Sequence, residues 1–402
     1  MFHLLSGWKF YSLLILIGGI TIFYYILKRV YSYFDRNGFK TLPGVSYVFG
    51  HLGPTFIHKE PYDQLMLRLY NATTEPIIGL YGILNPILMV RDPKLIQLIL
   101  VKEFSYFTDR RRSSMNDPRG SSLLFEVGQK WKKQRSIVLR SLTSGKLKDV
   151  FSTIINSGVK LQDHIEELYR KGDLFNVQSA SACYTTNVMA SFVLGIDVDT
   201  IKEPNCDFPP ITTSRVITFC LYELAKNREY QDRVQNEIDN VLQNHNGTID
   251  SDSILEMQFL QQCIYETLRK YPVATNIARH CVQDFRIPGT NQVIEKGTDL
   301  IIPVYGLHMD EQFYEDAKTF NPNRFNSDVG MNHVNRPFYP FGGGPRKCIG
   351  MRLGQMQVKV GLAMMLQKFT FHLKENNEEM TIHPKSFRIT PGHGFELRIS
   401  KR

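Results

Sequence analysis

The chain has no Cys-x-x-Cys pair and no His-x-x-x-His pair, although its 402 residues include 6 cysteines and 11 histidines. The cysteines (Cys183, Cys206, Cys220, Cys263, Cys281 and Cys348) lie far apart, which argues against a zinc site and a compact disulfide scaffold. A phosphate-cradling loop is missing too, because Gly145-Lys146 is followed by Leu147 where a hydroxyl residue is needed. Gly342-x-Gly344 does not complete a dinucleotide fingerprint, since Lys347 stands where its last glycine belongs. The formal net charge of +9 is spread along the chain without a basic stripe. That pattern suits acidic partners and lipid headgroups and gives no sign of nucleic-acid binding.

Charge is also absent from residues 10–27, an apolar run about long enough to cross a bilayer core. No small-x-small cleavage site follows it, so an uncleaved anchor is expected rather than a signal peptide. Lys28, Arg29, Arg36 and Lys40 follow the run, against Lys9 before it, which places the remainder on the cytosolic side. With 43% hydrophobic residues, that remainder can bury one large core or two modest ones.

What the chain does have is a loop, Phe341-Gly342-Gly343-Gly344-Pro345-Arg346-Lys347-Cys348-Ile349-Gly350, with a long helical pattern behind it. Its glycines let backbone approach a large flat ligand. Loop and helix-start N–H groups, with the helix dipole, favour a thiolate at Cys348. Arg346 is placed to grip a carboxylate. A thiolate, a carboxylate clamp and a close-approach loop together suit an iron porphyrin. The bland alternative is a surface turn holding a core cysteine, which five specified positions in ten disfavour.

Those five positions, Phe341, Gly344, Arg346, Cys348 and Gly350, resemble the haem-binding loop of cytochromes P450. The resemblance implies a mainly α fold with small β-sheets: a helix-rich haem domain plus a β-rich subdomain, preceded by one transmembrane helix. The anchor would be residues 1–30 and the haem domain residues 31–402. It implies haem b with Cys348 as axial thiolate and metal ligand. Trp131 and Arg135, four apart on one helix face, match the family's propionate-binding Trp-x-x-x-Arg, and Arg279 a further propionate-binding arginine. Glu266 and Arg269 match its Glu-x-x-Arg pair, completed by Arg324 of Phe320-Asn321-Pro322-Asn323-Arg324-Phe325; this set is structural. The implied activity is insertion of one oxygen atom from dioxygen into a small apolar substrate. The implied partners are NADPH–cytochrome P450 reductase, cytochrome b5 and the endoplasmic reticulum membrane, with the haem domain in the cytosol. Lys130, Lys132 and Lys133 suit reductase docking or simply a solvated face. The Leu42-Pro43-Gly44 turn resembles the family's hinge onto the membrane. Thr143-Ser144-Gly145-Lys146 and Gly195-Ile196-Asp197 resemble the insect microsomal group linked to detoxification.

Residues 77–90 read as a hairpin, 93–103 as a short helix, and 148–171 and 177–194 as helices. Single helices are expected over 221–245, with Leu221, Leu224, Val234, Ile238 and Val241 on one side, and over 253–271. Strands are expected at 276–286, 293–295 and 299–303. A helix over 351–371 follows the loop, with Gly354 allowing close approach to the cofactor, and residues 387–399 read as strand-like. Residues 104–128, which in the family line the substrate pocket, read as an irregular loop.

One place breaks the resemblance. The family's distal helix carries a small-residue and acidic motif ending in threonine, which Thr212 would match. Here Ile211 replaces the acid, and Pro209-Pro210 cannot lie inside a helix. A deletion near residues 207–212 would account for this and for a chain shorter than microsomal members. Two readings stand: a working haem-thiolate monooxygenase with Thr212 aiding proton delivery, or a membrane-anchored relic without turnover.

Overall fold

Apolar side chains that find no neighbour define the first element. In this computed structural model, which describes residues 2–46, 49–110, 122–202, 212–326, 335–374, 380, 389–390 and 395–402, α1 (Phe2–Tyr31) leaves its side chains exposed almost throughout residues 8–26. Among the described residues it is the one helix long and apolar enough to cross a membrane. The Pro209-Pro210 junction, Ile211, the Arg111-Arg112 and Pro118-Arg119-Gly120 stretches and the Gly392-His393-Gly394 turn lie outside the described residues.

The described residues fall into two compact units. The first takes residues 1–60, 67–127 and 277–303. Directly after α1 comes α2 (Tyr33–Arg36), whose Phe34 is fully buried. Phe34 sits against Gly79 of β1 (Ile77–Tyr81): a Cβ there would lie 2.4 Å from its ring. Tyr31 and Phe34 also pack on Tyr81, with ring centroids 4.6 and 4.9 Å away. Backbone bonds from Leu42 N–H to Gly79 C=O and from Gly79 N–H to Lys40 C=O add to this seat. The end of α1 is therefore held on the sheet ahead of the Leu42-Pro43-Gly44 turn, which the sequence suggested as the hinge. His51 staples that turn in place, its ring nitrogens meeting Leu42 C=O and Tyr81 N–H.

The helices α3 (Gly53–Phe56) and α4 (Tyr62–Asn71) lead to the hairpin of β1 with β2 (Pro86–Val90), paired antiparallel as expected. Next comes α5 (Pro93–Gln97), capped by Asp92 and continued by one π-turn.

The second unit holds residues 61–66, 128–276 and 304–402. It contains α6 (Gly128–Ser141), α7 (Ser144–Lys171), the short strand β3 (Phe175–Asn176), α8 (Val177–Met189) and α9 (Thr212–Lys226). The single helix expected over 221–245 is broken. Asn227 stands at φ −114°, ψ 84°, and its amide donates to Glu223 C=O at 2.7 Å, so a new helix α10 (Arg228–Gln243) starts. Leu221, Leu224, Val234, Ile238 and Val241 all still reach the core. The helix expected over 253–271 is likewise two, α11 (Ser251–Glu256) and α12 (Gln258–Lys270), broken at Met257. Glu237 of α10 caps α12 from outside, accepting from the Phe259 and Leu260 N–H groups at 2.6 and 2.9 Å.

Back in the first unit, the single strand expected over 276–286 is two, β4 (Ile277–His280) and β5 (Phe285–Arg286), and the other expected strands appear as β6 (Val293–Ile294) and β7 (Asp299–Ile302). Parallel pairing of β2 with β7 completes a sheet of order β1-β2-β7-β4. The second unit ends with α13 (Val304–His308), α14 (Met351–Lys368), β8 (Phe369–Leu373) and β9 (Glu396–Lys401). The helix behind Cys348 thus stops at Lys368, because Phe369 turns extended (φ −129°, ψ 151°) to pair with β9. Gly354 faces α9, where an added Cβ would lie 3.3 Å from Thr213 Cγ2.

Candidate functional site

The loop of residues 341–350 is shaped by two glycines in the left-handed region, Gly342 at φ +74° and Gly344 at φ +65°. Phe341 C=O accepts the Cys348 N–H at 2.8 Å and Gly344 C=O the Lys347 N–H at 3.0 Å. These bonds curl the chain so that Cys348 is presented at the surface immediately before α14. Among the other described cysteines, Cys220, Cys263 and Cys281 are buried, and burial pushes the Cys220 and Cys281 thiols up to about 12 and about 11. Cys348 alone of the described five is exposed, which fits a thiol meant to meet a ligand.

Beside it, the structure brings together three predicted residues. The Arg346 guanidinium lies 4.0 Å from the Trp131 ring centroid, and both residues are buried. Arg135, one turn along α6, sits 5.8 Å from the same ring and donates to Lys347 C=O at 2.9 Å. Burial lowers the Arg135 pKa, opposed by the charge of Cys348. Each guanidinium–indole contact is worth about 0.5–2 kcal/mol. The Trp-x-x-x-Arg helix and the cysteine loop are thereby locked to each other, with two permanent cations next to one exposed thiol. That donor set fits a haem: one soft axial ligand and two guanidiniums for two propionates.

Glu266, Arg269 and Arg324 also meet. Arg269 Nε and Nη2 each donate to Glu266 at 2.7 Å, a bidentate pair with both side chains fully buried. Arg324 Nε lies 3.4 Å from Glu266 Oε1, which also accepts the Asn321 N–H at 2.9 Å. Arg269 reaches further, donating to His308 C=O at 2.8 Å.

Arg279 is in the first unit, on β4, buried, and donates to Ala278 C=O at 2.8 Å. Thr212 is exposed as the first residue of α9. Its neighbour Thr213 is the one tied to α14, donating to Gln357 Oε1 at 3.2 Å. Sequence reasoning missed Gln357 and His308. Gln357 joins three helices, since it also donates to Thr185 C=O and its own C=O accepts Tyr184 Oη–H at 2.9 Å. His308 has no sequence signal beyond being a polar residue that closes an apolar run.

The family described as Cytochrome P450 matches residues 43–208 and 210–396. The chain belongs to that family, whose members are haem monooxygenases. It is 28% identical to "Probable cytochrome P450 6d5" of Drosophila melanogaster, over 96% of this chain and 98% of that one. It is 31% identical to "Cytochrome P450 6l1" of Blattella germanica, over 76% and 80%. "Cytochrome P450 6d3" of Musca domestica is 26% identical over 98% of both. The match to the first runs over 502 aligned positions, more than the 402 residues of this chain, so that relative carries sequence this chain lacks.

Proposed function

We propose that the chain is the haem-thiolate type of monooxygenase, held by α1 on the endoplasmic reticulum membrane with the remainder in the cytosol. One oxygen atom goes into a small apolar substrate, with electrons from NADPH through cytochrome P450 reductase and with cytochrome b5 as a further donor. The observation that carries this reading is the exposed Cys348 beside the Arg346–Trp131–Arg135 stack. Cys348 would hold the haem iron through its thiolate. Trp131, Arg135, Arg346 and Arg279 hold the propionates. Phe341, Gly344 and Gly350 shape the loop, and Glu266, Arg269 and Arg324 fix the segment in front of it. When bound, haem supplies the dioxygen chemistry, favoured by thiolate electron density. Thr212 moves protons through its hydroxyl. The test is the reduced, carbon-monoxide-bound spectrum of the full chain in nanodiscs. A red-shifted thiolate band that Cys348→Ser abolishes is expected; its absence refutes the haem-thiolate reading for this chain.

A second reading is favoured by α6. Of its described side chains Trp131 alone is buried, and Ile137 stays 54% exposed, as does Val193 past the end of α8 at 61%. Solvated apolar residues on an internal helix suit a chain lacking a covering block. The deletion proposed near residues 207–212 is supported by the break in the family match at residue 209, beside Pro209-Pro210. Without that cover the site excludes water poorly and turnover is lost. A thiolate band without NADPH-driven turnover supports this reading; substrate oxidation coupled to NADPH use refutes it.

A further inference from the structure

We propose that His308 is a positioning residue for the cysteine loop, its neutral imidazole tying the end of α12 to the backbone of Tyr339. The proposal rests on the reading of Cys348 as the functional ligand, and it concerns what holds that ligand's loop in place.

His308 ends α13 and is fully buried. Its Nε2 lies 3.0 Å from the Tyr339 N–H and its Nδ1 3.2 Å from Arg269 C=O. A backbone N–H can only donate, so Nε2 is the acceptor. A carbonyl can only accept, so Nδ1 carries the proton. One tautomer of the neutral ring satisfies both, and the imidazolium would face the Tyr339 N–H with a second donor. The ring is further fixed by stacking on Phe338, at 5.4 Å between centroids, and by an edge contact with Tyr314 at 6.3 Å.

The path onward is short. Tyr339 C=O accepts the Gly342 N–H at 3.0 Å, which opens the glycine loop, and Phe341 C=O accepts the Cys348 N–H at 2.8 Å. Arg269 is bonded to His308 twice, through its guanidinium to His308 C=O and through its own C=O to Nδ1. The buried Glu266–Arg269 pair thus reaches the cysteine loop through the His308 ring. The contacts of Glu266 itself go elsewhere, to Arg269, Arg324 and Asn321. His308 converts the rigidity of a buried ion pair into a fixed starting point for the loop.

The test separates the two ring bonds. His308→Asn keeps a donor near the Nδ1 position but offers Tyr339 no acceptor. His308→Gln reaches the Nε2 position and supplies that acceptor. His308→Phe keeps the stacking and removes both bonds. Hydrogen–deuterium exchange is followed in the full chain, in detergent micelles and without added haem, at the amides of residues 339–348 and, as a reference, in α7. Exchange across the loop should accelerate at least tenfold in the Asn and Phe variants and return to near the wild-type rate with Gln, while α7 is unchanged. After haem loading, the Asn and Phe variants should lose thiolate band in favour of the protonated-thiol form.

Equal loop exchange in wild type, Asn and Gln variants would overturn the proposal. So would a uniform acceleration that includes α7, because His308 would then stabilise the fold at large. A wild type that gives no thiolate band but shows the Asn–Gln contrast sinks the haem reading and leaves the positioning role standing.

Discussion

Glu266→Gln is the sharpest perturbation available, because it keeps size and shape and removes one charge. In the wild type Glu266 accepts two bonds from Arg269 at 2.7 Å and one from Asn321 N–H at 2.9 Å, with Arg324 Nε at 3.4 Å. Arg269 and Glu266 are both fully buried, so water cannot replace what is lost. Glutamine turns an N–H donor toward the Arg269 guanidinium and leaves that cation with half a partner. Removing one member of a buried ion pair costs about 3–5 kcal/mol. A domain's whole stability is about 5–15 kcal/mol, so this single amide consumes a large share. With a urea slope of about 2–3 kcal/mol per molar, the midpoint should fall by about 1–2 M. The assay is urea unfolding of the full chain in micelles, followed by far-ultraviolet circular dichroism. Arg269→Gln should cost a similar amount, and the double variant less than the sum, with a coupling of about 1–3 kcal/mol. A Glu266→Gln protein within about 1 kcal/mol of wild type, or strict additivity, would refute the view that this pair carries the core of the second unit.

Two further outcomes follow from the first unit and from His308. Gly79→Val places methyl groups where the Phe34 ring lies, 2.4 Å from an ideal Cβ, and should expel Phe34 at about 1–3 kcal/mol. Trypsin cleavage at Arg36 in micelles should then quicken, and an unchanged rate would show that the end of α1 is not seated on the sheet. Burial, aided by the Arg269 charge, pushes the His308 pKa from 6.5 down to about 3. The unfolded chain therefore binds a proton that the folded chain refuses between those values, and stability falls as pH drops below 6.5. Relative to His308→Gln, the wild type should lose at most about 1.4 kcal/mol per pH unit down that window. A pH-independent difference between the two would refute the buried neutral ring.

Much of the second unit was legible in the sequence because its signals are local. Phe341, Gly344, Arg346, Cys348 and Gly350 occupy ten consecutive residues, and Trp131 with Arg135, like Glu266 with Arg269, is set by helical spacing. Helix boundaries were less legible. The apolar faces of 221–245 and 253–271 continue across their breaks, so periodicity alone ran each pair together. The breaks come from the Asn227 amide turning back to Glu223 and from Met257 leaving the helical region, with Glu237 capping the helix behind it. Likewise the helix behind Cys348 stops three residues early, because the pairing of β8 with β9 takes Phe369, a long-range choice that no local propensity carries.

The sequence by itself determined the apolar N-terminal helix, the family, the glycine-rich cysteine loop and the Glu266–Arg269 pair, since each depends on residue type at fixed spacing along one element. Only the tertiary structure decided that Arg135 and Arg346 share the Trp131 ring, that Phe34 seats the end of the N-terminal helix against Gly79, and that His308 links Arg269 to Tyr339. Apart from Arg135 with Trp131 on one helix, those contacts join residues from about 30 to over 200 positions apart in sequence. Spacing along a helix or strand repeats every few residues and can be read from the letters; a contact between elements is fixed by how their faces pack.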